Sequence, residues 1–289
     1  MSGRLGAGSK LAMKCLRSDI RSDADQFTIG SEDLVHETAI LANLDHKHII
    51  KLHGRAPGQL TEVFLQKDGY FILLDLLDMT LHDRIDAWKV ADHALQGPSV
   101  EQLRVAHDVA DAMFYLHNRG IIFRDLKPAN VGFDGRGVLK LFDLGFAIGL
   151  PEKEPDNPNG LLYDRCGTPR YMAPEVGLSQ GYEKPSDVYS FGVLFWEICA
   201  FTKPFAHITS GTAFERAVFK GGERPAVEFH WPKAVRSLMA GCWHARPESR
   251  PTIAEVRSSL EALADGKPSK KKSAMKSLRS RMSLKKRTA

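Results

Sequence analysis

The stretch Ile121-Ile122-Phe123-Arg124-Asp125-Leu126-Lys127-Pro128-Ala129-Asn130-Val131-Gly132 decides how this chain is read. An apolar run delivers the backbone to Asp125, with a lysine two residues on and an asparagine five residues on, before a short β-like segment. A second apolar run, Val138-Leu139-Lys140-Leu141-Phe142, ends in Asp143-Leu144-Gly145. Chemically this is a loop offering a proton acceptor (Asp125), a cation (Lys127) and two oxygen ligands for a hard metal ion (Asn130 and Asp143). Phosphoryl transfer needs that set, because the protein's task there is positioning and charge neutralisation rather than covalent chemistry. A solvated charged turn would have no reason to carry both clusters in this order.

Composition excludes several other classes. The chain has 289 residues, 43% apolar and 26% charged, which suits a soluble globular fold with a sizeable core. Cys15, Cys166, Cys199 and Cys242 are scattered without metal-ligand spacing and read as reduced thiols in a cytosolic or nuclear protein. The first residues lack the apolar core of a signal peptide, and the run from Phe191 to Phe201 is too short to span a bilayer. Residues 266–289 hold ten Lys or Arg and no acid; subtracting these from the chain's +5 leaves −5 for residues 1–265. That basic run, with Lys270-Lys271-Lys272 and Lys285-Lys286-Arg287, reads as a disordered tail, with an acidic partner, nuclear targeting, nucleic acid or an anionic membrane surface as alternatives.

The motif pair resembles the catalytic loop H-R-D-L-x-x-x-N and the D-F-G of protein kinases. Further stretches resemble the same family in the same order. Leu11-Ala12-Met13-Lys14 matches V-A-I-K, and Glu37, in a predicted helix over 31–43, stands where the family places the partner of that lysine. Tyr70-Phe71-Ile72-Leu73-Leu74 reads as a buried strand and resembles the one entering the hinge, with Leu74 as gatekeeper and Asp75, Leu76 and Leu77 as the linker whose backbone reads adenine. Residues 88–98 read as a loop insertion, and Ser99 as the N-cap of a helix over about 100–118. Cys166-Gly167-Thr168-Pro169-Arg170-Tyr171-Met172-Ala173-Pro174-Glu175 resembles the end of an activation segment. The run 186–198 is apolar nearly all round, as a central buried helix would be. There the resemblance makes Asp187 the carboxylate holding the catalytic loop, and it pairs Arg250 with Glu175.

The resemblance implies an α+β, bilobal kinase fold over residues 1–265, with a small lobe to about 74, a hinge at 75–77 and a helical lobe from 78. It implies ATP and Mg2+, and a protein substrate phosphorylated on Ser or Thr. Asp125, Lys127 and Thr168 would be catalytic, and Lys14, Glu37, Ala12, Leu74, Asp75, Leu77, Asn130 and Asp143 would hold nucleotide, the last pair but one through the hinge backbone and Asn130 and Asp143 through the metal. Lys127 and Gly167-Thr168 are the serine/threonine forms of these motifs, and the helix and Cys242-Trp243 motifs resemble the tyrosine-kinase-like branch.

Four departures stand out. Phe123 replaces the His and Leu144 the Phe of the two motifs, both mild changes in an apolar spine with Leu41 and Leu52. Gly132 stands where a large apolar residue floors the adenine, a loss of about 1.5–3 kcal/mol of available burial. Only thirteen residues precede Lys14, too few for the family's glycine-rich hairpin, and Gly3, Gly6 and Gly8 do not leave room for it. The alternative to an active kinase is therefore a pseudokinase serving as a binding or scaffold domain. Finally, residues 147–165 carry no Ser or Thr, and Tyr163 is their lone hydroxyl. Asp164 is expected to stand where an ordering phosphate would meet Arg124.

Overall fold

Short β-rich pieces come first and helices dominate the rest. The computed structural model describes residues 10–16, 23–57, 70–91 and 97–266. In chain order these form β1 (Leu11–Cys15), α1 (Ala24–Leu41), β2 (Leu52–Arg55), β3 (Phe71–Asp75), β4 (Leu77–Thr80), α2 (Leu81–Ala91), α3 (Val100–Asn118) and β5 (Ile121–Ile122). They continue as β6 (Val131–Asp134), β7 (Leu139–Leu141), β8 (Ile148–Gly149), α4 (Pro174–Gly177), α5 (Pro185–Ala200), α6 (Gly211–Phe214), α7 (Lys233–Cys242) and α8 (Ile253–Ala264). Gly3, Gly6 and Gly8 and the basic run from residue 267 lie outside the described residues.

The small sheet has the order β1-β3-β2, antiparallel throughout, and pairs Ala12 with Leu74 and Lys14 with Ile72. Its centre is β3, whose apolar run is half-buried and buried by turns, with Ile72 and Leu74 inside. Against it lies α1, which starts at Ala24, seven residues before the expected start at 31. Asp23 caps it by accepting from the backbone N–H groups of Asp25 and Gln26. A second sheet, β4-β6-β7, carries the segment joining Asn130 to Asp143, and Ile49 bridges to Leu141 at its edge.

The helical body is set by its caps and by one buried helix. Ser99 and Gln102 form a reciprocal capping box on α3, as the sequence leads one to expect, and Gln102 also donates to the Ile198 carbonyl at 2.9 Å. Pro185 starts α5, whose residues 186–199 are all buried. Gly192 on that helix lies against α7: a Cβ there would sit 2.7 Å from the Cβ of Cys242. Helix α8, capped by Thr252 and Glu255, lies along α3 and ties to it through Arg257 and Asp111 at 2.7 Å. The expected loop at 88–98 is corrected in part, since α2 runs on to Ala91 with Trp88 packed on the core and Arg84 over the ring of Phe133. Among the described residues no helix is long and apolar enough to cross a membrane.

Candidate active site

β5 and the buried Phe123 carry the chain into the loop, and α5 fixes it from below. The carboxylate of Asp187 accepts from the backbone N–H of Phe123 and of Arg124, each at 2.9 Å, and from His117 Nε2 at 2.8 Å. All of this is inside the protein; Asp187 is 1% exposed. The grip matters because Arg124 has φ of +72°, a left-handed conformation that a non-glycine residue adopts only when its surroundings impose it. A tight turn over Pro128–Asn130 then brings Asn130 back beneath Asp125.

Asp125 receives four donors. Its Oδ1 accepts from the Thr168 N–H at 2.8 Å and the Thr168 hydroxyl at 2.7 Å, and its Oδ2 from Lys127 Nζ at 2.6 Å and Asn130 Nδ2 at 3.0 Å. Lys127 also donates to the Thr168 hydroxyl at 2.9 Å. The three residues expected to be catalytic therefore meet at one carboxylate. The hydroxyl of Thr168 sits on it as an acceptor hydroxyl would.

Lys14 lies between two carboxylates, Glu37 at 2.6 Å and Asp143 at 2.9 Å. Burial, the largest single influence on its pKa, pulls it down, but the two carboxylates outweigh burial and hold it above the ordinary lysine value. Glu37 also accepts from the Leu144 N–H at 3.2 Å, so α1 positions both the lysine and the Asp143 segment. Asp143 itself has φ of +63°, and Leu144 beyond it is fully buried, as are Phe123 and, nearly, Leu41. Leu52 is only half-buried.

The residues fit a magnesium ion. Asn130 uses its NH2 on the carbonyl and Oδ2 of Asp125, which leaves its Oδ1 as a neutral oxygen donor. Asp143 offers the second oxygen. Among the described residues no group of three or more His, Cys, Asp or Glu could hold a metal. Mg2+ does not need such a cage, because it binds through one or two protein oxygens together with phosphate and water.

At the hinge, Leu74 is buried opposite Ala12, and Leu76 lies between β3 and β4. The Asp75 side chain turns toward neighbouring strands: it accepts from the Lys51 N–H at 3.1 Å and His53 Nε2 at 2.8 Å, and lies 3.2 Å from Lys140 Nζ. Burial would raise its pKa, but these donors hold it below the usual carboxylate value. The Asp75 side chain is thus held within the fold, and its backbone N–H donates to the Lys51 carbonyl at 3.3 Å. His48 contacts the Leu139 carbonyl, and His46 lies against the Tyr115 ring. At Gly132, a Cβ would fall 2.7 Å from Leu77 Cδ1 and 3.2 Å from both Phe142 Cε1 and the Met79 carbonyl, so the space beside this position is taken by Leu77, Phe142 and the Met79 backbone.

The activation segment is tied down through Arg124. Its guanidinium donates to Asp164 at 2.5 Å and to the Phe146 carbonyl at 2.5 Å, and Tyr182 donates to the other oxygen of Asp164 at 2.8 Å. Tyr163 points outward. Beyond it, Arg250 grips Glu175 with two hydrogen bonds of 2.5 and 2.9 Å, both partners buried. Motif spacing did not reveal His117, Lys140, His53, Tyr182 or Glu197, whose contacts join distant parts of the chain.

Comparison with known proteins agrees with this geometry. The protein kinase domain model matches residues 4–260. Serine/threonine-protein kinase 12 of Arabidopsis thaliana is 31% identical over 262 residues, 89% of this chain and 52% of that protein. A putative mitogen-activated protein kinase kinase kinase 7-like protein of Drosophila melanogaster is 31% identical over 78% of this chain and 54% of its own length. The dual specificity protein kinase shkC of Dictyostelium discoideum is 35% identical over 59% of this chain and 33% of its own. The chain thus spans about half the length, or less, of these relatives. With the motifs, the fold and the clustered site in agreement, the chain belongs to the protein kinase family.

Proposed function

We propose that this chain is an active serine/threonine protein kinase that transfers the γ-phosphoryl group of ATP to a Ser or Thr hydroxyl of a protein. The observation that carries the reading is the Thr168 hydroxyl held 2.7 Å from Asp125 and 2.9 Å from Lys127. A substrate hydroxyl placed there would give its proton to Asp125 as its oxygen bonds to phosphorus and the bond to ADP breaks. Lys127 would offset charge on the transferred group, and Lys14, held by Glu37, would anchor the nucleotide phosphates. Mg2+, held by Asn130 and Asp143, supplies charge neutralisation of the phosphates when bound. Asp164, locked between Arg124 and Tyr182, does the ordering that a phosphate would otherwise do, with one negative charge where a phosphate has nearly two.

The test uses the full chain with Mg-ATP and a panel of Ser and Thr peptides. Asp125→Asn should lower phosphate transfer by about 10²- to 10⁴-fold while the melting temperature stays close to that of the parent. Equal incorporation by the variant, or no transfer by the parent, would leave a binding role in its place.

A further inference from the structure

Beside Asp125 lies a cavity of about 440 Å³, shared by the catalytic loop, residues 168–171 and the segment after α5. Lys127 and Thr168 form the end nearest the chemistry. Its charged lining is lopsided. Arg170, Lys203 and His82 all face it, and Glu197 is the one carboxyl among the lining residues. The Arg170 guanidinium donates to the carbonyls of Pro204 and Phe205 at 2.8 and 2.6 Å, which fixes its position, and among the described residues no carboxylate lies within ion-pair distance of it. Lys203 is exposed and likewise makes no contact ion pair among the described residues, although its charge, with those of Arg170 and His82, acts on Glu197, and His82 also lies 3.8 Å from Asp86. Glu197 is buried and accepts from the Tyr171 hydroxyl at 2.6 Å. Burial pushes its carboxyl up to about 7, so near neutral pH it cancels only part of the positive charge around it.

We propose that this cavity recognises an anionic side chain on the substrate, close in sequence to the hydroxyl that is phosphorylated, so that the preferred substrates are acidic Ser/Thr peptides. The spacing limits the distance. Thr168 contacts Asp125, Arg170 follows it by two residues, and two residues of extended chain span at most about 7 Å. The anion therefore lies within about three residues of the acceptor hydroxyl. A carboxylate and a phosphorylated residue offer the same chemistry here. The inference rests on the kinase reading for its meaning, but the charge preference can be measured apart from turnover.

The experiment takes the full chain and Ser peptides in a neutral background, with a single Glu, phosphoserine, Ala or Lys placed at each neighbouring position. Transfer is measured with Mg-ATP, and binding is measured by fluorescence anisotropy on the same peptides with the acceptor Ser replaced by Ala. At one position Glu should exceed Ala by about tenfold in both readouts, with Lys below Ala. A higher value for phosphoserine than for Glu would mark phosphorylated proteins as the source. Lys203→Glu, an exposed change whose folding is checked by thermal melting, should abolish the Glu preference. Best performance by Lys peptides, equal performance by Glu and Ala, or a Glu preference untouched by Lys203→Glu would each overturn the inference. Absence of transfer from every peptide would instead overturn the kinase reading, and the binding arm would still decide the charge preference.

Discussion

Asp187 and Asp143 are both aspartates on which the site depends, and their surroundings are opposite. Asp187 is 1% exposed and satisfied by three donors from two parts of the chain. Asp143 has a side chain 45% exposed and pairs with Lys14, itself 41% exposed. The Asp125 half of the site is built into the helical body. The Lys14–Asp143 half is a partly solvated cluster whose ion pair is open to screening. One carboxylate shapes backbone; the other waits for charge.

The sharpest way to break this comparison is to make the same substitution on both sides. Asp187→Asn turns an NH2 toward a backbone N–H that cannot accept it, and should destabilise the fold by about 3 kcal/mol or more, seen as a lower midpoint in urea. A loss below about 1 kcal/mol would mean that Asp187 does not brace the loop. Glu197 offers a test within the same helical body, since burial raises its pKa to about 7 from 4.5 and the Tyr171 hydroxyl donates to it at 2.6 Å. The native state then holds the proton more tightly than the unfolded chain, so stability falls as pH rises from about 4.5 through about 7. Glu197→Gln should match the parent near pH 4 and exceed it by up to about 3 kcal/mol at pH 8, as urea midpoints across that range would show. A pH-independent difference would place the carboxyl outside this account.

Asp143→Asn should cost at most about 1 kcal/mol of stability, because both partners of its ion pair are partly solvated, while phosphate transfer is lost. If it unfolds the protein as Asp187→Asn does, the contrast between the two halves is wrong. The smallest expected effect is that of Asp164→Asn, a roughly threefold to tenfold fall in transfer by protein treated with phosphatase, with Tyr163→Phe unchanged. Loss of activity in Tyr163→Phe alone, with phosphatase silencing the parent, would make Tyr163 the switch.

Much of this was legible from residues 121–145, because phosphoryl transfer demands a particular set of charged groups at close spacing along one loop. Caps were readable for the same local reason: Ser99 with Gln102 announces α3. Asp23 carries an equivalent signal for α1, but Gly30 and the exposed Ile29 break the apolar spacing of the first turns and hide it. The filling of the space at Gly132 was not readable, since it comes from Leu77 and Phe142, each on a different segment. Likewise nothing local to Asp75 announces that its side chain belongs to His53, Lys51 and Lys140.

The Thr168 hydroxyl has one more consequence. It is held on the carboxylate that the proposed reaction would use, at the high local concentration of an intramolecular group. On that reading an incoming serine would share Asp125 with a hydroxyl already in place, and contacts elsewhere on its peptide would have to favour it. Selection would then rest on what surrounds the hydroxyl more than on the hydroxyl itself.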